Sequence, residues 1–313
     1  MLIDFLNEGV SKFNNVKINK YMKIIDSTTY FEEDLMMDLR FNVLDSHVDE
    51  FIVSEAIFSH SGREKKINFD KKNFPKFEKK INHIIIENEP DDIINNKNLN
   101  SAEQRLNSIT RIREQRNHIS NFLGKYSPND YIIYSDNDEI PNLENIDFEK
   151  NDKEIVIFKQ KIFYYKFNLI LPKIDWFGSK ACKIKNLKSI DSLRNSKNKK
   201  YPFYRVDTFF SDIKHQNLKI IDEGGWHFSN LKNFEDLQKK YLNDENHSEY
   251  ESLGLSIDRV KYNIENRSID YDHKAKKNSP EKFTETKLQE VDLKLLPNYI
   301  QSNVVKYKDW IAK

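Results

Sequence analysis

Cysteine and glycine are both scarce in this chain of 313 residues. The single cysteine, Cys182, excludes an internal disulfide framework and a metal site built from several cysteines. This usage fits a reducing compartment, and we expect a cytoplasmic protein. Only seven residues are glycine, and the sequence contains neither a G-x-G-x-x-G fingerprint nor a Walker motif. A bound nucleotide must therefore be held by something other than a glycine-rich phosphate loop.

Long apolar runs and an excess of one charge are absent as well. No stretch approaches the roughly 18 consecutive apolar residues of a membrane span. Residues 1–20 lack the apolar core of a signal peptide, so we expect no transmembrane segment. The 51 basic and 50 acidic side chains leave a net charge of +1. Global charge therefore points neither to nucleic acid nor to a membrane as partner.

The most informative stretch is a β-prone apolar run that ends in a group of acids. Residues 131–134 are typical of a buried strand in a parallel sheet, and Asp136, Asp138 and Glu139 follow before Pro141. The carboxyl edge of such a sheet is where α/β folds bind ligands. In a regular strand Asp136 and Asp138 share a face, and two carboxylates there suit Mg²⁺ or Mn²⁺, which can hold a diphosphate. The alternative is an acidic turn that caps a following helix.

The order of the predicted elements favours an α/β fold. We predict strands at 22–27, 48–54 and 81–86, and helices at 30–44 and 102–123. This alternation indicates a mostly parallel central sheet flanked by helices. After the acidic strand the apolar residues alternate with polar ones, so we expect a smaller antiparallel part there.

We divide the chain into three parts. Residues 1–20 form a polar N-terminal arm, residues 21–268 form the main domain, and residues 269–313 form a charged extension that packs on it. A domain of this length can bury a sizeable core. The sequence shows no internal repeat.

Eight short fragments occur in an order and spacing that resemble one known family. They are FEEDL at 31–35, LRFNVL at 39–44, VDEFIVSE at 48–55, SGREK at 61–65, REQRN at 113–117, SDNDEIP at 135–141, GWHFS at 225–229 and HSE at 247–249. Together they resemble glycosyltransferase family 17, the β-1,4-mannosyl-glycoprotein N-acetylglucosaminyltransferase-like proteins. No single fragment is specific, but their collinearity over about residues 22–265 is.

The resemblance implies a GT-A-like fold, UDP-GlcNAc as the nucleotide-sugar donor, Mn²⁺ or Mg²⁺ as cofactor, and inversion at the anomeric carbon. Animal relatives carry an N-terminal membrane anchor and a long C-terminal extension, which we do not expect here. Golgi residence and N-glycan acceptors therefore do not carry over, and a surface glycan and a glycoprotein both stay open as acceptors. His247 and Glu249 match the family pattern and are expected to brace the site.

Combined with the resemblance, the residues predict a donor site. Asp138 is the first choice as a direct metal ligand, Asp136 contacts the metal or the ribose, and His227 completes the metal site or contacts the diphosphate. For the arginines the alternative is a solvated helix face, and for the loop after the second strand it is a plain surface loop. The side chains predicted to contact the nucleotide are Glu55, Arg63, Arg113, Arg116 and Asn117.

The segment around Trp226 is the second place where we expect chemistry. Two glycines precede Trp226 and permit close backbone approach, and its ring offers a flat face to the donor sugar. Inversion needs a general base, for which Asp222 and Glu223 are the candidates and Asp207 is an outsider. The alternative is a core tryptophan next to a hydrogen-bonded His227.

These observations predict a metal-dependent inverting glycosyltransferase that moves GlcNAc from UDP-GlcNAc to a hydroxyl of a glycan acceptor. The alternative is a non-catalytic protein that binds glycans or nucleotide sugars on the same fold. A nucleotidyltransferase is disfavoured, because residues 25–29 do not form a glycine-rich phosphate loop. A nucleic-acid partner is not expected, because the abundant lysines are balanced by acids.

Overall fold

Four parallel strands from the first half of the chain build one part of a ten-stranded sheet. They are β1 (Ile24–Tyr30), β2 (Glu50–Ala56), β3 (Ile81–Ile86) and β4 (Tyr131–Ser135). They lie in the order β3-β2-β1-β4, and every neighbouring pair is parallel. The three connections between them carry helices or long loops, as parallel pairing requires.

The structure is a computed structural model that describes residues 22–243, 247, 257–270, 272–273 and 284–313. The predicted N-terminal arm, residues 1–20, lies outside the described residues, and so does Glu249. Within the described ranges, no helix combines the length and the apolar character that crossing a bilayer demands.

Antiparallel pairing continues the same sheet beyond β4. The strands are β5 (Glu139–Pro141), β6 (Ile155–Tyr164), β7 (Leu169–Lys183), β8 (Leu218–Ile221) and β9 (Gly225–Ser229). The long strand β7 lies antiparallel to both β4 and β6, and the order continues β4-β7-β6-β9-β5. Strands β8 and β9 each pair with β6 in parallel. The antiparallel strands thus extend the parallel sheet instead of forming a separate layer.

Helices cover both faces of the sheet. The α-helices in the described ranges are α1 (Asp34–Leu44), α2 (Ser101–His118), α3 (Ile190–Asn195), α4 (Phe234–Asn243), α5 (Ile257–Glu265) and α6 (Asn298–Ser302). Asn100 and Glu103 form a capping box at the start of α2. The Asn100 side chain accepts the backbone N–H of Glu103, and the Glu103 side chain accepts the backbone N–H of Asn100. The first helix begins later than predicted: residues 28–30 are β-prone and pair with residues 53–55 of β2.

The strand β4 shows why the apolar run is continuous. Tyr131 and Ile133 pack on one face of the sheet, in the cluster that contains Phe41 of α1. Ile132 and Tyr134 pack on the other face, and all four side chains are fully buried. A strand that is covered on both faces needs apolar residues at every position. The prediction of an α/β protein with a large, mostly parallel sheet flanked by helices is confirmed.

The C-terminal segment packs back on the domain. Besides α6 it contains the short strands β11 (Thr286–Lys287), which pairs with β10 (Ser268–Ile269), and β12 (Gln289–Glu290), which pairs with β7. Tyr307 is fully buried, and its hydroxyl donates to Asp38 of α1 at 2.9 Å. These contacts tie residues 284–313 to both β7 and α1.

Candidate active site

A cleft of about 300 Å³ opens at the carboxyl ends of β1 and β4. Residues of α2, α3, α4, β7 and β9 also line it. Ligands of α/β proteins bind at this edge of the sheet, where the strands end and the loops diverge. The titratable side chains that line the cleft are Glu33, His60, Arg116, Asp136, Asp138, Arg194, His227 and Lys240.

A tight turn after β4 presents the two aspartates. Because β4 ends at Ser135, residues 136–138 form a turn instead of continuing a regular strand as predicted. The Glu139 N–H donates to the Asp136 carbonyl at 3.0 Å, and the Asp136 N–H donates to Oε2 of Glu139 at 3.2 Å. Asp136 and Asp138 both line the cleft, but the turn places them there, not the alternation of a strand.

Arg40 of α1 holds this turn from inside the protein. Its Nε and Nη2 each donate to one carboxylate oxygen of Asp26 in β1, both at 2.6 Å. Its Nη1 donates to the carbonyl of Glu139, also at 2.6 Å. Arg40 and Asp26 are completely buried, so the guanidinium has no water to replace these partners. Arg40 is therefore a positioning residue, which links α1 and β1 to the start of β5.

Asp136 is held by two arginines. Nε and Nη2 of Arg194 donate to its Oδ2 at 2.8 and 2.6 Å, and Nη2 of Arg116 donates to its Oδ1 at 3.1 Å. The hydroxyl of Tyr134 donates to Oδ1 as well, at 3.2 Å. Burial by itself opposes ionisation, but Arg194 and Arg116 outweigh it and hold the pKa of Asp136 well below its usual range. Both carboxylate oxygens of Asp136 thus already have strong donors.

Asp138 pairs with His227 of β9. Oδ2 of Asp138 lies 3.3 Å from Nε2 of His227, and Lys240 of α4 lies 4.0 Å from the same oxygen. Burial works against both charged forms, yet the pair lowers the pKa of Asp138 and raises the pKa of His227. Nδ1 of His227 is buried and has no hydrogen-bond partner. The imidazole is therefore oriented by one carboxylate and keeps an uncommitted nitrogen.

Trp176 forms the floor of the cleft and is supported by the buried Glu139. Nε1 of Trp176 donates to Oε1 of Glu139 at 2.6 Å, and the Trp176 ring lies 4.7 Å from the ring of His227. Glu139 is fully buried, and burial together with the nearby Asp136 raises its pKa. A Cβ at Gly178 would lie 2.2 Å from Oε1 of Gln160 and 2.6 Å from Cδ of Glu139. Only glycine leaves room at position 178 for this packing.

Trp226 lies on the other side of β9. Its Nε1 donates to the carbonyl of Leu295 at 2.6 Å, and it lines a separate groove that Glu223 and Tyr299 also border. His227, the next residue, lines the cleft. Because neighbouring residues of a strand point to opposite faces, the two cannot reach the same ligand. Trp176 and Phe31 are the aromatic residues that line the cleft, and the sequence analysis singled out neither of them for ligand contact.

The sequence profile of glycosyltransferase family 17 matches residues 9–250. The chain belongs to glycosyltransferase family 17. It is thus a glycosyltransferase, as the resemblance of the eight fragments implied. The matched region contains every residue that lines the cleft. A glycosyltransferase acts on a donor and an acceptor, and these are its substrates.

Comparison with solved structures adds no further argument. Crystal structures of HddC from Yersinia pseudotuberculosis, alone and complexed with GMP-PN, cover 64% of this chain and 90% of their own. Their sequences are 13% and 12% identical to it, and the TM-score is 0.28 in both cases. No curated protein matches the sequence.

The arginines of α2 differ in their surroundings in this family 17 enzyme, and Arg111 is buried and paired with Glu89 outside the cleft. Arg116 lines the cleft and also bonds Asp191 of α3 at 3.1 Å. Arg113 is exposed and pairs with Asp92 on another surface, so both the functional reading and the solvated-face alternative apply to this helix. Asn117 accepts the N–H of Asp191 at 3.0 Å and thereby positions α3.

Glu55 and Arg63 do not line the cleft. Glu55 is fully buried at the end of β2, where it accepts bonds from Lys65, from His83 and from two backbone N–H groups of the following loop. With all its partners inside the protein, its geometry is that of a loop anchor and not of a nucleotide ligand. Arg63 lies on the exposed surface of the same loop.

The predicted general bases lie outside the cleft as well. Asp222 and Glu223 are exposed and pair with Lys159 and Lys161 of β6. Glu223 lines the same groove as Trp226, away from the cleft that contains His227. Asp207 pairs with basic neighbours on an exposed loop. His247 is buried and outside the lining of the cleft.

Arg194 is the main residue of the cleft that the sequence analysis missed. It comes from the short helix α3, inside a Lys- and Asn-rich stretch that gives no local signal of function. Lys180 of β7 supports this helix: its buried Nζ donates to the carbonyl of Ser196 at 2.8 Å and to that of Arg194. Burial and the charge of Arg194 lower the pKa of Lys180 to about 7.

The residues of the cleft fit a divalent cation only in part. Among the residues that the structure describes, no group of three or more His, Cys, Asp or Glu side chains could hold a metal by itself. Asp138 and His227 offer a carboxylate oxygen and an imidazole nitrogen at 3.3 Å, a donor set that Mn²⁺ accepts. Asp136 fits less well, because arginines already occupy both of its oxygens. Further ligands would have to come from the substrate or from water.

Proposed function

We propose that this protein is a metal-dependent inverting glycosyltransferase of GT-A-like fold that transfers GlcNAc from UDP-GlcNAc to a hydroxyl of a glycan acceptor. The observation that carries the proposal is the cleft in which the Asp138–His227 pair lies beside Arg116 and Arg194. A nucleotide-diphosphate leaving group needs both a metal site and fixed positive charge. Arg116 and Arg194 offer fixed positive charge, and Asp138 and His227 offer two candidate metal ligands, at the edge of the sheet where α/β proteins bind nucleotides.

Asp138 and His227 are the residues that would hold the metal, with the donor diphosphate completing its ligands. When bound, Mn²⁺ or Mg²⁺ supplies positive charge that stabilises the departing diphosphate. Asp138 orients the imidazole of His227 in the cleft. Asp136 is assigned to orienting Arg116 and Arg194 and not to holding the metal.

Arg116 and Arg194 are the residues that would bind the diphosphate. Guanidinium groups match phosphate oxygens with pairs of parallel donors. Each arginine gives only part of its five N–H groups to Asp136 and Asp191, and both line the open cleft. Asp136 thus orients two arginines toward the donor, in place of the direct metal contact predicted for it.

Inversion also requires a general base for the acceptor hydroxyl. We assign this role to Glu33, which precedes α1, lines the cleft and is engaged by neither arginine nor histidine in the contacts described. Its carboxylate accepts the N–H groups of Phe31 and Glu32 at 2.9 and 3.0 Å, and Lys232 lies 3.3 Å away. Burial opposes ionisation, but Lys232 and the backbone donors lower the pKa of Glu33, so it is ionised near neutral pH.

Calorimetric titration with UDP and UDP-GlcNAc, first with Mn²⁺ and then with EDTA, tests the proposal. We expect both ligands to bind with Mn²⁺ and to lose most affinity with EDTA. Asp138→Asn should remove the metal-dependent part, whereas the matched control Asp222→Asn on the exposed turn should bind as the wild type does. Metal-independent binding, or an Asp138→Asn variant with full affinity, would contradict the assignment. Glycan binding without nucleotide binding would favour a non-catalytic role.

A further inference from the structure

A short loop between α3 and β8 exposes an unusual amount of apolar surface. In this aromatic loop, residues 201–210, Phe203, Phe209 and Phe210 are 84%, 74% and 91% exposed, and Tyr204 and Val206 are both 68% exposed. Single exposed apolar side chains are normal, but five within eight residues form a patch. Such patches on a water-soluble surface mark sites of interaction.

The polar side chains of the aromatic loop are paired within the loop and its base. Thr208 is buried; its hydroxyl donates to the Arg205 carbonyl at 2.6 Å and accepts from Nε2 of Gln216 at 2.7 Å. Arg205 closes the turn through two bonds to Asp207, at 2.7 and 2.8 Å. The loop therefore satisfies its own polar groups while it presents the aromatic side chains outward.

Positive charge surrounds the aromatic loop. Residues 197–214 contain five basic and two acidic side chains, a net charge of +3, although the whole chain has a net charge of only +1. Both Arg205 and Lys214 pair with Asp207. The three lysines that precede the loop, Lys197, Lys199 and Lys200, are exposed.

We infer that the aromatic loop binds a membrane surface that carries anionic headgroups. Aromatic side chains partition to the interface between headgroups and acyl chains, and adjacent lysines are attracted to anionic lipid. Both features occur here in one continuous stretch, in which the three lysines directly precede the aromatic loop. The local excess of basic side chains favours an anionic bilayer over a neutral apolar partner. This excess is not visible in the net charge of the whole chain.

The base of the aromatic loop is joined to the helix that serves the cleft. The N–H of Lys197 donates to the carbonyl of Ile213 at 2.7 Å, and Oγ of Ser196 lies 3.1 Å from Nε2 of His215. These bonds start directly after α3, whose Arg194 binds Asp136. The loop that we propose to bind lipid is therefore anchored directly beside the helix that carries Arg194.

Co-sedimentation with vesicles tests this inference and needs no enzymatic activity. The wild-type protein should bind vesicles of phosphatidylcholine with phosphatidylglycerol, and bind phosphatidylcholine alone far less. The double variant Phe209→Ser/Phe210→Ser should bind the anionic vesicles at least about tenfold more weakly, since two large apolar side chains no longer leave water. Lys199→Glu/Lys200→Glu should lose the preference for the anionic lipid. Both pairs are exposed, so neither change should unfold the protein.

Val305→Ser is the matched control, because Val305 is 84% exposed but lies in the C-terminal segment. Its vesicle binding should equal that of the wild type. The inference is overturned if the wild-type protein binds no vesicles, or if the Phe209→Ser/Phe210→Ser variant binds them as well as Val305→Ser does. It is also overturned if the loop instead joins two copies, seen as a dimer in light scattering that the double variant abolishes without any vesicle binding.

Discussion

Trp226 and His227 are neighbours in β9, yet their side chains serve different parts of the molecule. His227 lies in the cleft, 3.3 Å from Asp138, whereas the indole of Trp226 donates to Leu295 in the C-terminal segment. The pleat of the strand separates them. The sequence places a candidate metal ligand and a candidate sugar-stacking ring at adjacent residues. In the structure, the histidine and the tryptophan that line the cleft come from two strands, His227 from β9 and Trp176 from β7.

Replacement of each tryptophan by phenylalanine tests whether only Trp176 serves the cleft. Trp176→Phe removes the bond to the buried Glu139 and reshapes the floor of the cleft. We expect the KM for the donor sugar nucleotide to rise about tenfold or more, as for a lost bond to a charged group. Trp226→Phe should lower stability, because it loses the bond to Leu295, but leave that KM unchanged. Steady-state kinetics and urea unfolding of both variants separate the effects, and equal KM values for the two would refute the assignment.

Two of the four arginines of α2, Arg113 and Arg116, form a second matched pair. Arg116→Lys removes the planar fork that binds Asp136 and Asp191, and we expect UDP to bind about tenfold to a hundredfold more weakly. Arg113→Lys, three residues earlier on the exposed face, should bind UDP normally. Calorimetry with UDP in Mn²⁺ measures both. Equal weakening would mean that the helix acts through its overall charge and not through Arg116.

Replacement of Glu33 tests the general base. Glu33→Gln keeps the size of the side chain and its acceptor oxygen but cannot take a proton, so kcat should fall by about a hundredfold or more while UDP binding persists. Glu223→Gln, outside the cleft, should keep its kcat. If Glu223→Gln lost kcat and Glu33→Gln did not, the base would lie beside Trp226 as the sequence suggested.

The Arg40–Asp26 pair should dominate the stability of the cleft. Arg40→Met leaves the buried Asp26 carboxylate and the Glu139 carbonyl without a donor, so the free energy of unfolding should fall by about 3–5 kcal/mol. The double variant Asp26→Leu/Arg40→Met removes both charges and should recover part of the loss. Urea unfolding of the series measures these values. A double variant whose loss equals the sum of the losses of Arg40→Met and Asp26→Leu would show that the pair is not coupled.

Lys180 makes stability depend on pH. Its folded pKa of about 7 lies below the usual lysine value of 10.5, so between these pH values the unfolded chain binds more protons. Stability from this group is therefore lowest below about pH 7 and rises as pH increases. Relative to Lys180→Met, the wild type should gain up to about 1.4 kcal/mol per pH unit above pH 7. Denaturant unfolding from about pH 6 to 9 measures this, and a flat difference would contradict a buried neutral amine.

Part of the fold was accessible from local pattern. The run at 131–134 is apolar at every position because β4 is covered on both faces, and this demand is visible in the sequence itself. The third strand was predicted with its observed ends, Ile81–Ile86. The first helix was started too early, because the pairing of residues 28–30 with β2 overrides the helical period that follows them.

By itself, the sequence determined the family and the α/β class, because collinear fragments and the alternation of strands and helices are properties of the chain order. Only the tertiary structure decided which side chains share the cleft. His227 is placed beside Trp176 by the pairing of β9 with β5 and β6. Arg194 is placed there by the packing of α3 against β7. Those contacts join residues far apart in sequence, and strand register, which selects the face of each side chain, is set by such long-range pairing.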